Sequence, residues 1–302
     1  MPPIYARSIR QSLPNGSKNS RSLLLSPGLQ GRSRGREIAH LFRQQRGLLE
    51  TRACELDAIL DDAEIEVTAS KYAEPGYAAV LVRLKGGGAG ILLAAQQSEG
   101  RRRFSLAHEL GHFWIPTHQR VGPTLKCADA DLRARSTDSR VIEWEANDFA
   151  AELLMPTKLF AADIRHRPVT FSSVEKLASA DMYNVSRTAA AWRFVQLTRE
   201  PCALVMTVDG LVSWVARSPA FRYRIVERQQ PLGKGTVAAA LNRGEATSGA
   251  AEKVAPYEWL DAPTDESQPP FELFESACLI PSLHQVLSLV WTPEQDFEHD
   301  EE

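Results

Sequence analysis

Cysteine is sparse in this chain: there are four in 302 residues, and no Cys-x-x-Cys pair. Cys54, Cys127, Cys202 and Cys278 are widely scattered, which argues against a disulfide framework. The chain also lacks any apolar run of the roughly 20 residues that a membrane-spanning helix needs. Its longest runs, such as "GYAAVLV" and "GAGILLAA", are far shorter, and the N-terminus carries no secretory apolar core. These absences lead us to expect a reducing, cytoplasmic location and no membrane partner. No internal repeat is found, and "GKGT" at 233–236 lacks the Gly-x-x-x-x-Gly-Lys spacing of a phosphate loop.

Neither sign of charge dominates, the net being −3, yet the two ends are uneven. Residues 1–46 hold nine Arg or Lys against one acid, Glu37, while "TPEQDFEHDEE" closes the chain with six carboxylates. The acidic end reads as a solvated tail at 293–302. The basic start, 1–35, reads as a disordered extension or as residues added by an upstream start codon. A transit peptide or a nucleic-acid arm would share its Arg- and Ser-rich, acid-poor composition.

Between these ends, 43% hydrophobic residues over this length suffice for two domains, each with its own core. "REIAHLFRQQRGLLETRACELDAIL" has apolar residues at helical spacing, with Gly47 as a break. "AEIEVTAS", "GYAAVLVRL" and "AGILLAA" read as three short strands. The polar stretch 117–140 reads as a long loop, with room for a short helix, placed to gate the cleft beside it. "RVIEWEANDFAAELLMP" is a helix that Pro156 ends. Two further helices follow, with Ser172 and Ser186 as expected N-terminal caps. "CALVMTVDGLVSWVA" is a hairpin turning at Asp209-Gly210, and "HQVLSLVWT" is a late strand. The boundaries that follow are a core at 36–160, a helical unit at 161–200 and a strand-containing α+β domain at 201–292.

"FSLAHELGHFW" contains a His-Glu-x-x-His pentad. On a helix His108 and His112 lie one turn apart on one face, so two imidazoles can reach a single metal ion. Leu106, Leu110 and Phe113 line the opposite face and can anchor the helix in a core. Glu109 falls to one side of the histidines, close enough to take a proton from water without occupying the coordination shell. With seven His and 24 Glu in the chain, random order yields such a pentad about 1% of the time, so a catalytic zinc site must also show a third ligand on a second element.

The "IEWEAN" helix offers two glutamates for that role. Glu143 shares a face with Asn147, Ala150 and Leu154, where the alanine would let another helix approach closely. Glu145 shares the far side with Asp148 and Glu152, a charged stripe that reads as a solvated face. The expected set is therefore Zn2+ held by His108, His112 and Glu143, with Glu109 as catalytic base and Asn147 as an outer partner that orients Glu143 or a neighbouring backbone group.

"FSLAHELGHFW", followed by a loop and "EWEANDFAAELLMP", resembles the ImmA/IrrE family of bacterial zinc metallopeptidases. The resemblance is specific over about 101–160 and does not cover 1–35. It implies the same assignments for His108, Glu109, His112 and Glu143. It also implies a minimal zincin core of the gluzincin-like type, with a small helical unit and a variable C-terminal domain. Members of that family act with helix-turn-helix transcriptional regulators, which they cleave or inactivate in stress responses and on mobile elements. The expected function is thus a zinc endopeptidase acting on such a repressor. The alternative is a metal-binding regulator that binds DNA or a repressor without cutting it.

Weaker signals remain. His118, His166 and Tyr183 are candidates by residue type for stabilising an oxyanion, although a surface or packing role is the simpler reading of each. Cys127, in the long stretch, could reach the zinc as a thiolate, although an inert cysteine is the simpler reading. "ASADMYNVSRTAAAWRFV" has a helix-turn-helix look, with Arg187, Arg193 and Arg199 assigned to its second helix. The stripe Val185, Ala189, Trp192 and Val195 instead suggests that this helix packs on the peptidase core, so DNA binding is not favoured.

Overall fold

The computed structural model describes residues 32–70, 77–84, 88–120, 124–128, 137–226, 228–245, 249–260, 272–280 and 285–293. The expectations for the basic start before residue 32 and for the acidic tail from 294 lie outside this set. The described residues form two compact units. One runs to Pro156 and includes Tyr183–Ser186; the other comprises Thr157–Met182 and the chain from Arg187 onward.

The first unit contains helices α1 (Arg32–Gln45) and α2 (Leu56–Asp62), strands β1 (Ile65–Ser70), β2 (Tyr77–Leu84) and β3 (Gly88–Ala94), then helix α3 (Glu99–Trp114). A 3-10 turn (Pro116–Arg120), strand β4 (Thr124–Ala128) and helix α4 (Thr137–Leu154) complete it. The sheet order is β1-β3-β2-β4, with β1 parallel to β3 and the other pairs antiparallel. The three strands expected from sequence are present, and Gly47 has the positive φ of 68° that stops α1.

Two features differ from the sequence reading. Part of 117–140 is not loop: β4 pairs with β2 as an edge strand, with Leu81 opposite Leu125 and Ala79 opposite Cys127. Pairing across more than 40 residues has no local periodic signature in a five-residue strand. Of the rest, 117–120 lie in the 3-10 turn and 137–140 open α4, while 121–123 and 129–136, part of the expected gate, lie outside the described residues. In addition, α1 begins at Arg32, so residues 32–35 lie within an element.

Helix α3 buries Leu106 and Leu110 completely, as its spacing requires. It crosses α4 closely because Gly111 has no side chain: a Cβ there would stand 3.1 Å from the Ala146 Cα and 3.2 Å from the Phe149 Cβ. Helix α1 packs on both through Phe42, whose ring centroid lies 4.3 Å from that of Trp114.

The guanidinium of Arg43, fully buried, ties this cluster together. It donates to the carbonyl oxygens of Leu153 at the end of α4 and of Leu48 and Thr51 in the turn after α1. In Arg43→Met the buried Leu153 carbonyl and the two part-buried carbonyls of Leu48 and Thr51 would lose this donor. A buried acceptor left without its partner costs about 1–3 kcal/mol, so urea denaturation should show the variant destabilised by about that amount. A midpoint unchanged from wild type would show that water replaces the arginine.

The second unit contains helices α5 (Thr157–Ile164), α6 (Phe171–Ala178) and α7 (Arg187–Leu197) and strands β5 (Cys202–Val208) and β6 (Leu211–Arg217). Helix α8 (Val237–Asn242) and strands β7 (Ala251–Val254), β8 (Leu273–Ile280) and β9 (Gln285–Trp291) follow. The sheet is antiparallel throughout, in the order β6-β5-β9-β8-β7. The β5–β6 hairpin turns at Asp209 and Gly210, both with positive φ, as the Asp-Gly signal implies. In its core the Glu275 carboxylate accepts from the backbone N–H groups of Val237 and Ala238, the Trp259 indole and the Ser288 hydroxyl. Burial raises the pKa of this acid against the pull of those donors.

Helix α7 packs on β5 and β6 of this sheet, with Trp192 and Trp214 ring centroids 5.0 Å apart. Its expected basic face is not formed. Arg193 is buried and donates to Thr157, Arg187 pairs with Glu175, and Arg199 lies beyond the end of the helix. The cap of α6 is the Thr170 hydroxyl, which accepts from the Ser173 N–H, and not Ser172.

Candidate metal centre

Helices α3 and α4 bring His108, His112 and Glu143 together, with ligand atoms all within 4.8 Å of one another. The two Nε2 atoms are 3.0 Å apart, and the Glu143 Oε2 stands 3.2 Å from one and 3.7 Å from the other. Burial lowers the pKa of His112 to about 3, with His108 and His118 adding to the effect against the hydrogen bond to Glu143. Burial also opposes the charge on His108, but its hydrogen bonds to Glu143 and Asn147 and the charges of Glu109 and Glu143 together outweigh this and raise its pKa. Those same contacts overcome the burial of Glu143 and hold its carboxyl well below the usual range.

The outer faces of the rings are also engaged. His108 Nδ1 lies 2.9 Å from the Asn147 Oδ1. With the amide oriented by this contact, Nδ1 carries a hydrogen, and once Nε2 gives up the one it shares with Glu143 its lone pair faces inward. Lone pairs of imidazole and carboxylate would then converge on one point. Such an arrangement is repulsive by itself and is satisfied by a cation.

Glu109, next to His108 on α3, is fully buried. Its negative charge supports the cationic form of Arg83 on β2 against the burial that lowers that pKa, and Arg83 in turn donates to the His112 carbonyl at 2.6 Å. Arg83 was not singled out in the sequence, since nothing local marks a strand arginine as turned toward a helix.

One sequence reading is corrected here. Glu145, Asp148 and Glu152 do not form a solvated face. All are buried, at 1, 8 and 3% exposure. The arginines of α1 cover them: Arg34 lies 3.2 Å from Glu145 and Arg36 3.7 Å from Asp148, while Arg43 feels the charge of Glu152. An acidic stripe at helical spacing looks the same whether water or a cationic helix lies against it. The ring nitrogens of His118 contact His112 and Glu145, in keeping with a packing role. Tyr183 is fully buried near Arg43, and His166 is exposed in the second unit. Cys127 lies on β4, and its side chain falls outside the described residues.

A protein-family model for a peptidase, described as the IrrE N-terminal-like domain, matches residues 60–194. The match includes both metal-bearing helices, whereas α1 precedes it and the second sheet follows it. Among solved structures, a Mycobacterium tuberculosis transcriptional regulator shares the fold with a TM-score of 0.51 and 16% identity, over 85% of this chain and 75% of that one. No curated protein matches the chain. No helix among the described residues is long and apolar enough to cross a membrane.

Proposed function

We propose that the protein is a zinc-dependent endopeptidase of the gluzincin-like type that cleaves a helix-turn-helix transcriptional regulator. The observation that carries this reading is the convergence of His108, His112 and Glu143 within an IrrE-like peptidase domain, with Glu109 beside them on the same helix. The dimensions suit zinc. Bonds of 2.0–2.1 Å in tetrahedral array separate ligands by about 3.3 Å, and the observed edges are 3.0, 3.2 and 3.7 Å. Two imidazoles and one carboxylate are also the donor set of a catalytic zinc site that leaves a position open.

When bound, zinc supplies Lewis acidity, polarising a peptide carbonyl and making water acidic near neutral pH. His108, His112 and Glu143 would hold it, and Asn147 orients His108 through Nδ1. The Glu109 carboxylate accepts a proton from the attacking water and returns it to the departing amide nitrogen. Regulator cleavage fits the family and a fold shared with a protein named as a transcriptional regulator, in a stress-response or mobile-element circuit of the cytoplasm. The arrangement of Arg187 and Arg193 disfavours DNA binding through α7.

The direct test is incubation of the purified protein and zinc with the helix-turn-helix regulator encoded beside its gene. Discrete fragments should appear and vanish on chelation. An intact regulator that nevertheless forms a stable complex would favour the non-proteolytic reading.

A further inference from the structure

Behind the metal-facing edge of His112 lies a second buried cluster that the peptidase reading does not use. His112 Nδ1 is 3.0 Å from His118 Nδ1, and His118 Nε2 is 2.9 Å from the Glu145 Oε2. All three residues are buried, at 0, 0 and 1% exposure. Glu145 also forms an ion pair with Arg34 of α1 at 3.2 Å, and Arg34 donates to the Thr117 hydroxyl beside His118.

We propose that His118, Glu145 and Arg34 form a directional chain that fixes the tautomer and orientation of His112, which makes α1 a working part of the metal centre. The proposal rests on the reading of His108, His112 and Glu143 as ligands.

The direction follows from the donor inventory. An ionised carboxylate only accepts, so the hydrogen in the contact with Glu145 belongs to His118 Nε2. A neutral imidazole carries one such hydrogen, which leaves His118 Nδ1 as an acceptor. The hydrogen between the two rings must then sit on His112 Nδ1. That choice turns the His112 Nε2 lone pair toward His108 and Glu143, as metal ligation requires. The opposite tautomer of His118 would place a donor against His112 and leave Glu145 without one. His108 is oriented differently, by a neutral amide, so the two ligand histidines have unlike supports.

The local fold is built for this contact. Pro116 opens the 3-10 turn that carries His118 back beneath His112, and the His118 N–H donates to the Ile115 carbonyl. Helix α1 comes so close that a Cβ on Gly35 would stand 1.9 Å from the Glu145 carbonyl oxygen. Only a glycine lets Arg34 reach the carboxylate. Arg34 and Gly35 precede the family-matched segment, which begins at residue 60. His118, Glu145 and Arg34 are positioning residues: they act on the site through His112.

The test is zinc affinity of the full chain, measured by competition with a chromophoric chelator, with zinc-free melting temperature recorded for every variant. Loss of an outer partner of a ligand histidine weakens metal binding about 10- to 100-fold, and His118→Phe should fall in that range. Glu145→Gln retains an acceptor for His118 Nε2–H and should lose less. Should His118→Phe fail to fold, Arg34, with its side chain 20% exposed, carries the test: Arg34→Ala should weaken zinc several-fold and Arg34→Lys should restore most of it. Nitrogen-15 spectra of histidine-labelled, zinc-loaded protein should show hydrogen on Nδ1 of His112 and on Nε2 of His118. Zinc affinity within twofold of wild type in both His118→Phe and Arg34→Ala, or hydrogen on Nδ1 of His118, overturns the proposal. If wild type binds no zinc, or His112→Ala keeps it, the metal reading itself falls and takes this proposal with it.

Discussion

Glu109→Gln is expected to retain zinc and fold while losing peptide cleavage by about two to four orders of magnitude. Gln preserves the shape of the side chain but cannot accept the proton that the attacking water must lose. At 1.36 kcal/mol per factor of ten, this corresponds to about 3–5 kcal/mol of barrier. The position is well suited to separate chemistry from binding. Glu109 adjoins His108 on α3, yet the convergent ligand set is His108, His112 and Glu143. A small loss of stability should accompany the change, because the partly buried Arg83 loses a charge that supports it. Regulator digestion followed by gel, alongside zinc content and melting temperature, reads all three effects. Undiminished digestion would remove Glu109 from the mechanism. A wild-type protein that silences its regulator equally well after Glu109→Gln would be acting without proteolysis.

How much of this centre was legible before the structure depended on the range of each signal. His108 and His112 are four residues apart, and helical geometry alone puts them on one face. Glu143 could be separated from Glu145 by the same reasoning, because the two point to opposite sides of α4. What lay against each side could not be read. The partners of Glu145 and Asp148 are Arg34 and Arg36, about 110 residues earlier, in a basic stretch whose composition suggested an extension. His118 was visible as a histidine, but its place depends on the 3-10 turn after α3, which periodicity does not report. In the second unit the Asp209-Gly210 hairpin carried a strong local signal. β8 carried none, because Glu275 and Ser276 interrupt its apolar run and are nonetheless buried, with Glu275 held by four donors. β7 has only four residues, and three of them are exposed. The elements missed are those whose burial is set by distant chain.

The remaining prediction with a large effect concerns the two carboxylates of α4, which sequence separates by two residues and the fold by function. Glu143→Ala removes one of three converging ligand groups, so zinc should fall from about one ion per chain to near none. Its loss of affinity should exceed the 10- to 100-fold typical of an outer partner. Glu145→Ala keeps all three ligand groups and removes only the acceptor behind His118, so its loss should stay within that smaller range. It also leaves Arg34 without its buried partner. Glu145→Ala should therefore be the less stable of the two when both are zinc-free, even though it binds zinc better. Zinc affinity and zinc-free melting temperature, measured on the same pair, should rank the variants in opposite orders. Full zinc in Glu143→Ala with loss in Glu145→Ala would mean that the third ligand is the other carboxylate, and that the contacts of Glu143 with His108 and His112 are only those of the metal-free protein.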